Sequence, residues 1–246
     1  MELFTEIILE LRVFIEEARS GPSFHEYRSP DHSAWPPGRK GSIVMKCDTA
    51  VELGSPGLDS ASFLVWTNDD SMVRDGIIAV AGPDLCEAVE GALPFGKVVL
   101  LGVSGFNEAN CHERHREIER MRYGHNLDGY MMRAASQYLK EWSRVSRAAV
   151  EKKLGLANLG AAAIELYRTN EHITSVEILF VTSTSDHVAK LRTTGGRASK
   201  LISAMNRMSE EMSFDCAACD YADICGEVDG LRALRATLEK ENPHGR

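Results

Sequence analysis

Apolar residues recur at helical spacing from the first turn of the chain. Leu3, Ile7, Leu11, Phe14, Ile15 and Ala18 fall on one face of a helix expected over residues 3–19. The periodicity then lapses. Residues 20–40 are rich in Pro, Gly, Ser and His and include Pro36-Pro37-Gly38, which predicts a long loop or linker. From Gly41 onward short apolar runs alternate with turn residues. Residues 43–45, 61–67 and 77–81 read as strands, with Asp75-Gly76 and Gly82-Pro83-Asp84 as turns and Asp84 as the cap of a short helix reaching 92. Residues 97–103 and 176–182 are unbroken apolar runs, the pattern of strands covered on both faces. Val98 to Leu101 and Ile178 to Val181 are therefore expected at the centre of one sheet. Helices are expected from a cap near Asn107 to 122, and over 155–167, 185–192, 198–212 and 228–239. Residues 130–154 fit both periods. Met131, Ala135, Tyr138, Trp142 and Val145 space as a helix, whereas residues 142–146 alternate as a strand.

Strands alternating with helices give an α/β fold class: a mixed, mostly parallel sheet flanked by helices, followed by a C-terminal Cys-rich metal-binding segment. The expected division is an N-terminal helix and linker over 1–40, an α/β domain over 41–212, and the Cys-rich segment with its closing helix over 213–246. The 246 residues suffice for a sizeable core. A net charge of −8 argues against nucleic acid as a partner, since phosphate neutralisation needs clustered Lys and Arg. No apolar run is long enough to span a bilayer and the acidic start lacks a basic signal-peptide region, so no membrane partner and a cytoplasmic location are expected.

Three of the six cysteines, Cys216, Cys219 and Cys225, crowd into ten residues. A Cys-x2-Cys pair puts two thiolates on one turn, and a third follows six residues later. Interleaved Asp215, Asp220 and Asp223 make a core strand of packed thiols the poorer reading. Soft thiolates at this density point to an iron–sulfur cluster or Zn. A [4Fe–4S] cluster is preferred, because zinc ribbons use two Cys-x2-Cys knuckles and only one is present. The fourth ligand must come from elsewhere: Cys47 and Cys111 are the thiol candidates, then Cys86. A second cluster is basic. Arg114, Arg116, Arg120 and Arg122 share one predicted helix, where they either hold a phosphorylated ligand or pair with neighbouring acids, Glu113 and Glu119 with Arg116 among them. His112 and His115 lie three apart on that helix but lack a third metal ligand in register. The run Gly102-Val-Ser-Gly105 offers backbone N–H groups to an anion, without a full dinucleotide fingerprint. Trp142, flanked by Lys140, Arg144 and Arg147, either stacks a purine or belongs to the core.

Read in order, Thr49-Ala-Val-Glu-Leu-Gly54, Val73-Arg-Asp-Gly-Ile-Ile-Ala-Val-Ala-Gly-Pro-Asp84, Lys97-Val-Val-Leu-Leu-Gly102, Gln137 with Trp142-Ser-Arg-Val-Ser-Arg-Ala-Ala-Val150, and Val176-Glu-Ile-Leu-Phe-Val-Thr182 resemble the central region of acetyl-CoA synthase, the β subunit of the CO dehydrogenase/acetyl-CoA synthase complex. The resemblance covers about residues 48–190. In that family the central region lies between a CO dehydrogenase-docking domain and a domain carrying the nickel–iron–sulfur A-cluster, and the Trp of the Trp-x-Arg-x-Ser stretch is linked to coenzyme A. The resemblance therefore implies coenzyme A as a ligand of Trp142 and Arg144. Independently, the helix of Arg114, Arg116, Arg120 and Arg122 is the densest positive feature of an acidic chain and is expected to border a common groove with Trp142 and Arg144. The resemblance also implies CO dehydrogenase or a redox protein as partner. The array Cys-x2-Cys-x5-Cys departs from the family's A-cluster spacing, and no Cys-Gly-Cys run occurs, so acetyl-CoA synthesis by this chain alone is not implied. The expected function is a stand-alone subunit of anaerobic one-carbon metabolism. It would carry an iron–sulfur cluster on Cys216, Cys219, Cys225 and Cys47 for electron transfer, assembly or docking. The alternatives are a CoA-dependent acyl or methyl transferase component and a Zn-stapled scaffold.

Overall fold

The computed structural model describes residues 3–21, 23–30, 35–38, 43–88, 91–136 and 140–210, with Ala233 and Thr237. Strand β6 (Phe95–Val103) is buried at all nine positions, and the larger sheet is built around it. It pairs antiparallel with β9 (Ile173–Val181) and parallel with β3 (Ser60–Thr67). Beyond β9 lie β4 (Ile77–Ala81), parallel, and β1 (Phe24–Arg28), antiparallel, giving the order β1-β4-β9-β6-β3. Val98 stands opposite Leu179 and Val99 opposite Ile178, so the two apolar runs are indeed central and adjacent. Helices α1 (Thr5–Arg19), α4 (Leu156–Tyr167) and α5 (Ser185–Glu210) pack on this sheet. Helix α1 buries Ile7, Ile8, Leu11 and Ile15, close to the stripe its spacing predicts. No helix of the described residues is long and apolar enough to cross a membrane.

A second sheet of four strands runs in the order β5 (Ala92–Leu93), β2 (Thr49–Leu53), β8 (Lys140–Ser146), β7 (Tyr130–Ser136). Two mixed sheets thus replace the single, mostly parallel one expected. Parallel pairs are β2–β5, β3–β6 and β4–β9; the other four pairs are antiparallel. An apolar run reports burial on two faces and carries no information on strand direction, which is why the parallel expectation failed.

Other departures have local causes. The segment read as a loop contains β1, an edge strand with four exposed positions and hence no apolar alternation. Residues 43–45 form no strand: Ile43 and Met45 are exposed, and the strand begins at Thr49. Asp84 caps only a three-residue turn, Leu85–Glu87, but its Oδ1 also accepts from the backbone N–H of Leu156 at 2.8 Å, fixing the start of α4. The two C-terminal helices are one: α5 runs through Thr193-Thr194-Gly195-Gly196, where the Thr194 hydroxyl bonds Glu10 of α1 and buried Ala198 and Leu201 anchor the next turns. Within residues 130–154 the described positions form the antiparallel pair β7–β8 and a short helix, α3 (Arg147–Glu151). Cys216, Cys219 and Cys225 lie outside the described residues, as does the helix expected over 228–239 apart from Ala233 and Thr237, which are both helical.

Candidate functional site

Strand β8 presents two unlike surfaces, because alternate side chains point to opposite faces. Glu141, Ser143 and Val145 face inward and are fully buried. The Glu141 carboxylate accepts from Lys97 Nζ at 3.1 Å, Ser62 Oγ at 3.0 Å and the Tyr130 hydroxyl at 2.8 Å. Its backbone N–H and carbonyl both engage Ser60 Oγ. Burial alone would raise the Glu141 carboxyl. The charges of Lys97 and Arg122 and the Tyr130 hydrogen bond outweigh it and bring the pKa down to about 2. Arg122 in turn pairs with Glu119 at 3.1 Å and donates to the Ser62 carbonyl at 3.0 Å. This charged cluster sutures β8 of one sheet to β3 and β6 of the other.

Trp142 and Arg144 lie on the opposite face of the strand, where the indole is half-buried and Arg144 is buried. The Arg133 guanidinium lies 4.4 Å from the centre of the Trp142 ring and the Arg144 guanidinium 5.7 Å. Arg144 Nε donates to Glu52 at 2.7 Å across the β2–β8 pair, which holds the side chain flat on the sheet. Arg133 is exposed and has no carboxylate partner among the described residues. The Trp142 Nε1 is buried without a hydrogen-bond partner among them. The indole is thus an aromatic surface gripped by two cations, one already neutralised and one available.

The structure brings Trp142 and Arg144 together, as the Trp-x-Arg alternation demands. Arg114, Arg116 and Arg120 are on α2 (Cys111–Met121) and are not the guanidiniums at the indole. Arg114 pairs with Glu117. The C-terminal end of α2 leads into Arg122, on the Glu141 side of β8. Arg133 was not foreseen, since residues 130–154 fit both periods and the strand alternation covers only 142–146. Lys97 and Glu141 were also missed. Their signal is a charged residue inside an apolar strand run, which burial obliges to find a partner.

Gly102 and Gly105 do not frame an anion cradle. The Asp70 carboxylate and the Ser175 hydroxyl approach the Gly102 backbone where a side chain would stand, and the Ser104 N–H is taken by the His172 carbonyl. His115 is buried, accepts from Trp66 Nε1 at 3.2 Å, and is pushed down to about 3 by burial. Among the described residues no group of three or more His, Cys, Asp and Glu is placed to hold a metal. Of the candidate fourth thiols, Cys47 and Cys86 are exposed and Cys111 is buried. Burial pushes the Cys111 thiol up to about 11, against thiolate formation, so Cys47 and Cys86 suit a metal better.

No curated protein matches the chain in sequence. A family described as CO dehydrogenase/acetyl-CoA synthase complex beta subunit matches residues 34–187, from the bridge at Pro37 through both sheets to the start of α5. That span contains β2 to β9, Trp142 with its two arginines, and every stretch that carried the resemblance. The chain belongs to the CO dehydrogenase/acetyl-CoA synthase complex β-subunit family.

Proposed function

We propose that the outer face of the four-stranded sheet binds coenzyme A, and that the chain does so as a subunit of a CO dehydrogenase/acetyl-CoA synthase-type assembly. The observation that carries this reading is the Trp142 indole beneath the Arg133 guanidinium with Arg144 beside it. An adenine ring would take Arg133's place on the indole. The displaced guanidinium, free of any carboxylate among the described residues, would pair with a phosphate. A stacked base and a charge-assisted hydrogen bond contribute about 1–3 kcal/mol each. Trp142→Ala and Arg133→Ala are each expected to weaken coenzyme A binding by at least about tenfold, measured by calorimetry. Wild-type protein that binds no coenzyme A at millimolar concentration would sink the reading.

The three thiols in ten residues support a second, compatible element. Cys216, Cys219 and Cys225, with Cys47 as an accessible fourth ligand, would hold an iron–sulfur cluster that serves electron transfer, assembly or docking to CO dehydrogenase or a redox protein. Protein purified without oxygen is expected to be brown, to absorb at about 400 nm and to contain iron and sulfide, and Cys219→Ser should lose the colour. Colourless protein containing zinc would replace the cluster with a Zn staple.

A further inference from the structure

A second tryptophan borders a cleft that shares no residue with β8 or α3. The segment Trp35–Gly38 lies as a strap along the turn that follows α2. Pro37 forms an antiparallel bridge with Leu127, and the Asp128 N–H donates to the Pro36 carbonyl at 3.1 Å. The Asn126 side chain donates to the Gly38 carbonyl at 2.7 Å. A Cβ on Gly38 would stand 2.3 Å from Asn126 Oδ1, so glycine is what lets the strap lie this close.

Between the strap and α4 opens a cleft of about 340 Å³, at the small end of the range of ligand sites. Trp35, Pro37, Leu127, Ala162 and Leu166 supply its apolar walls. The Trp35 Nε1 donates to the Asp128 carbonyl at 2.9 Å, which ties the ring's polar atom to the chain and leaves its carbon faces for a ligand. His125 also lines the cleft but is uncharged at neutral pH, because burial pushes its imidazole down to about 3. Among the described residues that line the cleft, Glu165 is then the only ionised side chain.

A carboxylate, an indole and aliphatic walls in one small space select by charge. An anion meets the Glu165 carboxylate and the negative face of the indole. A neutral molecule gains burial alone. A cation carrying alkyl groups gains burial, the attraction of the ring and that of the carboxylate.

We propose that this cleft binds a free, small alkylated ammonium ion, with its nitrogen between the Trp35 indole and the Glu165 carboxylate. The site is independent of Trp142. There the indole is already held by the Arg133 and Arg144 guanidiniums, which would repel the same cation.

Choline and 3,3-dimethylbutan-1-ol test this on the full chain. The two molecules share size and shape, and a carbon replaces the charged nitrogen in the alcohol. Ligand-observed NMR titrations are expected to show choline bound at least about fivefold more tightly, the ratio that a cation–ring contact of about 1 kcal/mol gives. Glu165→Gln, at an exposed position, should weaken choline severalfold and leave the alcohol unchanged. Trp35→Leu, which keeps apolar bulk and removes the aromatic face, should remove the preference for choline. If Trp35→Leu loses the alcohol as well, the strap has detached, and the Glu165→Gln comparison decides. Equal binding of the two molecules overturns the proposal, as does a preference for choline that Glu165→Gln leaves intact. Absence of choline binding at about 50 mM, beyond the affinity expected of a well-seated ligand of this size, also overturns it. Phosphatidylcholine vesicles that carry the chain upward on flotation, and release it to choline, would overturn the free ligand in favour of a lipid headgroup.

Discussion

Replacing Lys97 by Met is expected to destabilise the protein by about 3–5 kcal/mol, the cost of stranding one partner of a buried ion pair. Lys97 and Glu141 lie 3.1 Å apart with side chains almost wholly excluded from water. Without Lys97, the Glu141 carboxylate keeps Ser62, Tyr130 and the more distant charge of Arg122, which do not replace a direct ammonium. Glu141→Gln should be comparably harmful, since it leaves the ammonium buried against a neutral amide. Lys97→Met combined with Glu141→Met is expected to cost clearly less than the two single losses added together, because no lone charge remains. It will not restore full stability, since Tyr130 and Ser62 lose their acceptor. Urea midpoints of the three variants and the parent measure this. A single-variant loss below about 1 kcal/mol would mean that water reaches the pair and that the two sheets are not sutured here.

How much of this was legible in the sequence depends on what each pattern encodes. The α1 stripe and the runs at 98–101 and 178–181 were readable because burial of whole faces leaves a periodic trace. Strand direction was not readable, and the single sheet became two. Edge strand β1 left no trace because His25, Glu26, Tyr27 and Arg28 face solvent. At the candidate site, the pairing of Trp142 with Arg144 followed from alternation. The second guanidinium came from the neighbouring strand, across a register irregularity between Met132 and Ala134 that no spacing rule anticipates. The buried cluster was the largest omission. Lys97 lies in Phe-Gly-Lys-Val-Val-Leu-Leu, where an ionised side chain is tolerable only with an opposite charge. Its partner, forty-four residues away in sequence, is set by tertiary structure alone.

Acidification from pH 7 towards 4.5 is expected to remove a large part of the stability, through His115 and His125. Burial is the leading cause in both cases, and both imidazoles are pushed down to about 3. Around His115 the other influence is His112. Around His125 it is Lys97, opposed by Glu141 and the Leu159 backbone. In the unfolded chain both titrate near 6.5. Between about 6.5 and 3 the unfolded state therefore holds more protons, and stability falls as pH falls, by about 1.4 kcal/mol per unit for each histidine. Two histidines over two units give about 5 kcal/mol, comparable with the whole stability of a marginal domain. Glu119 acts in the opposite sense: burial raises its carboxyl, so the folded state gains a proton early and offsets part of the loss. Glu141 adds a separate loss below the usual carboxylate range, as pH falls towards about 2. Urea midpoints of the parent at pH 7.5 and pH 5 should differ widely. The double variant His115→Gln, His125→Asn should begin less stable, because Trp66 loses its ring partner, yet lose much less on going to pH 5. An unchanged pH dependence in that variant would show that these histidines are hydrated in the folded protein and that acid acts elsewhere.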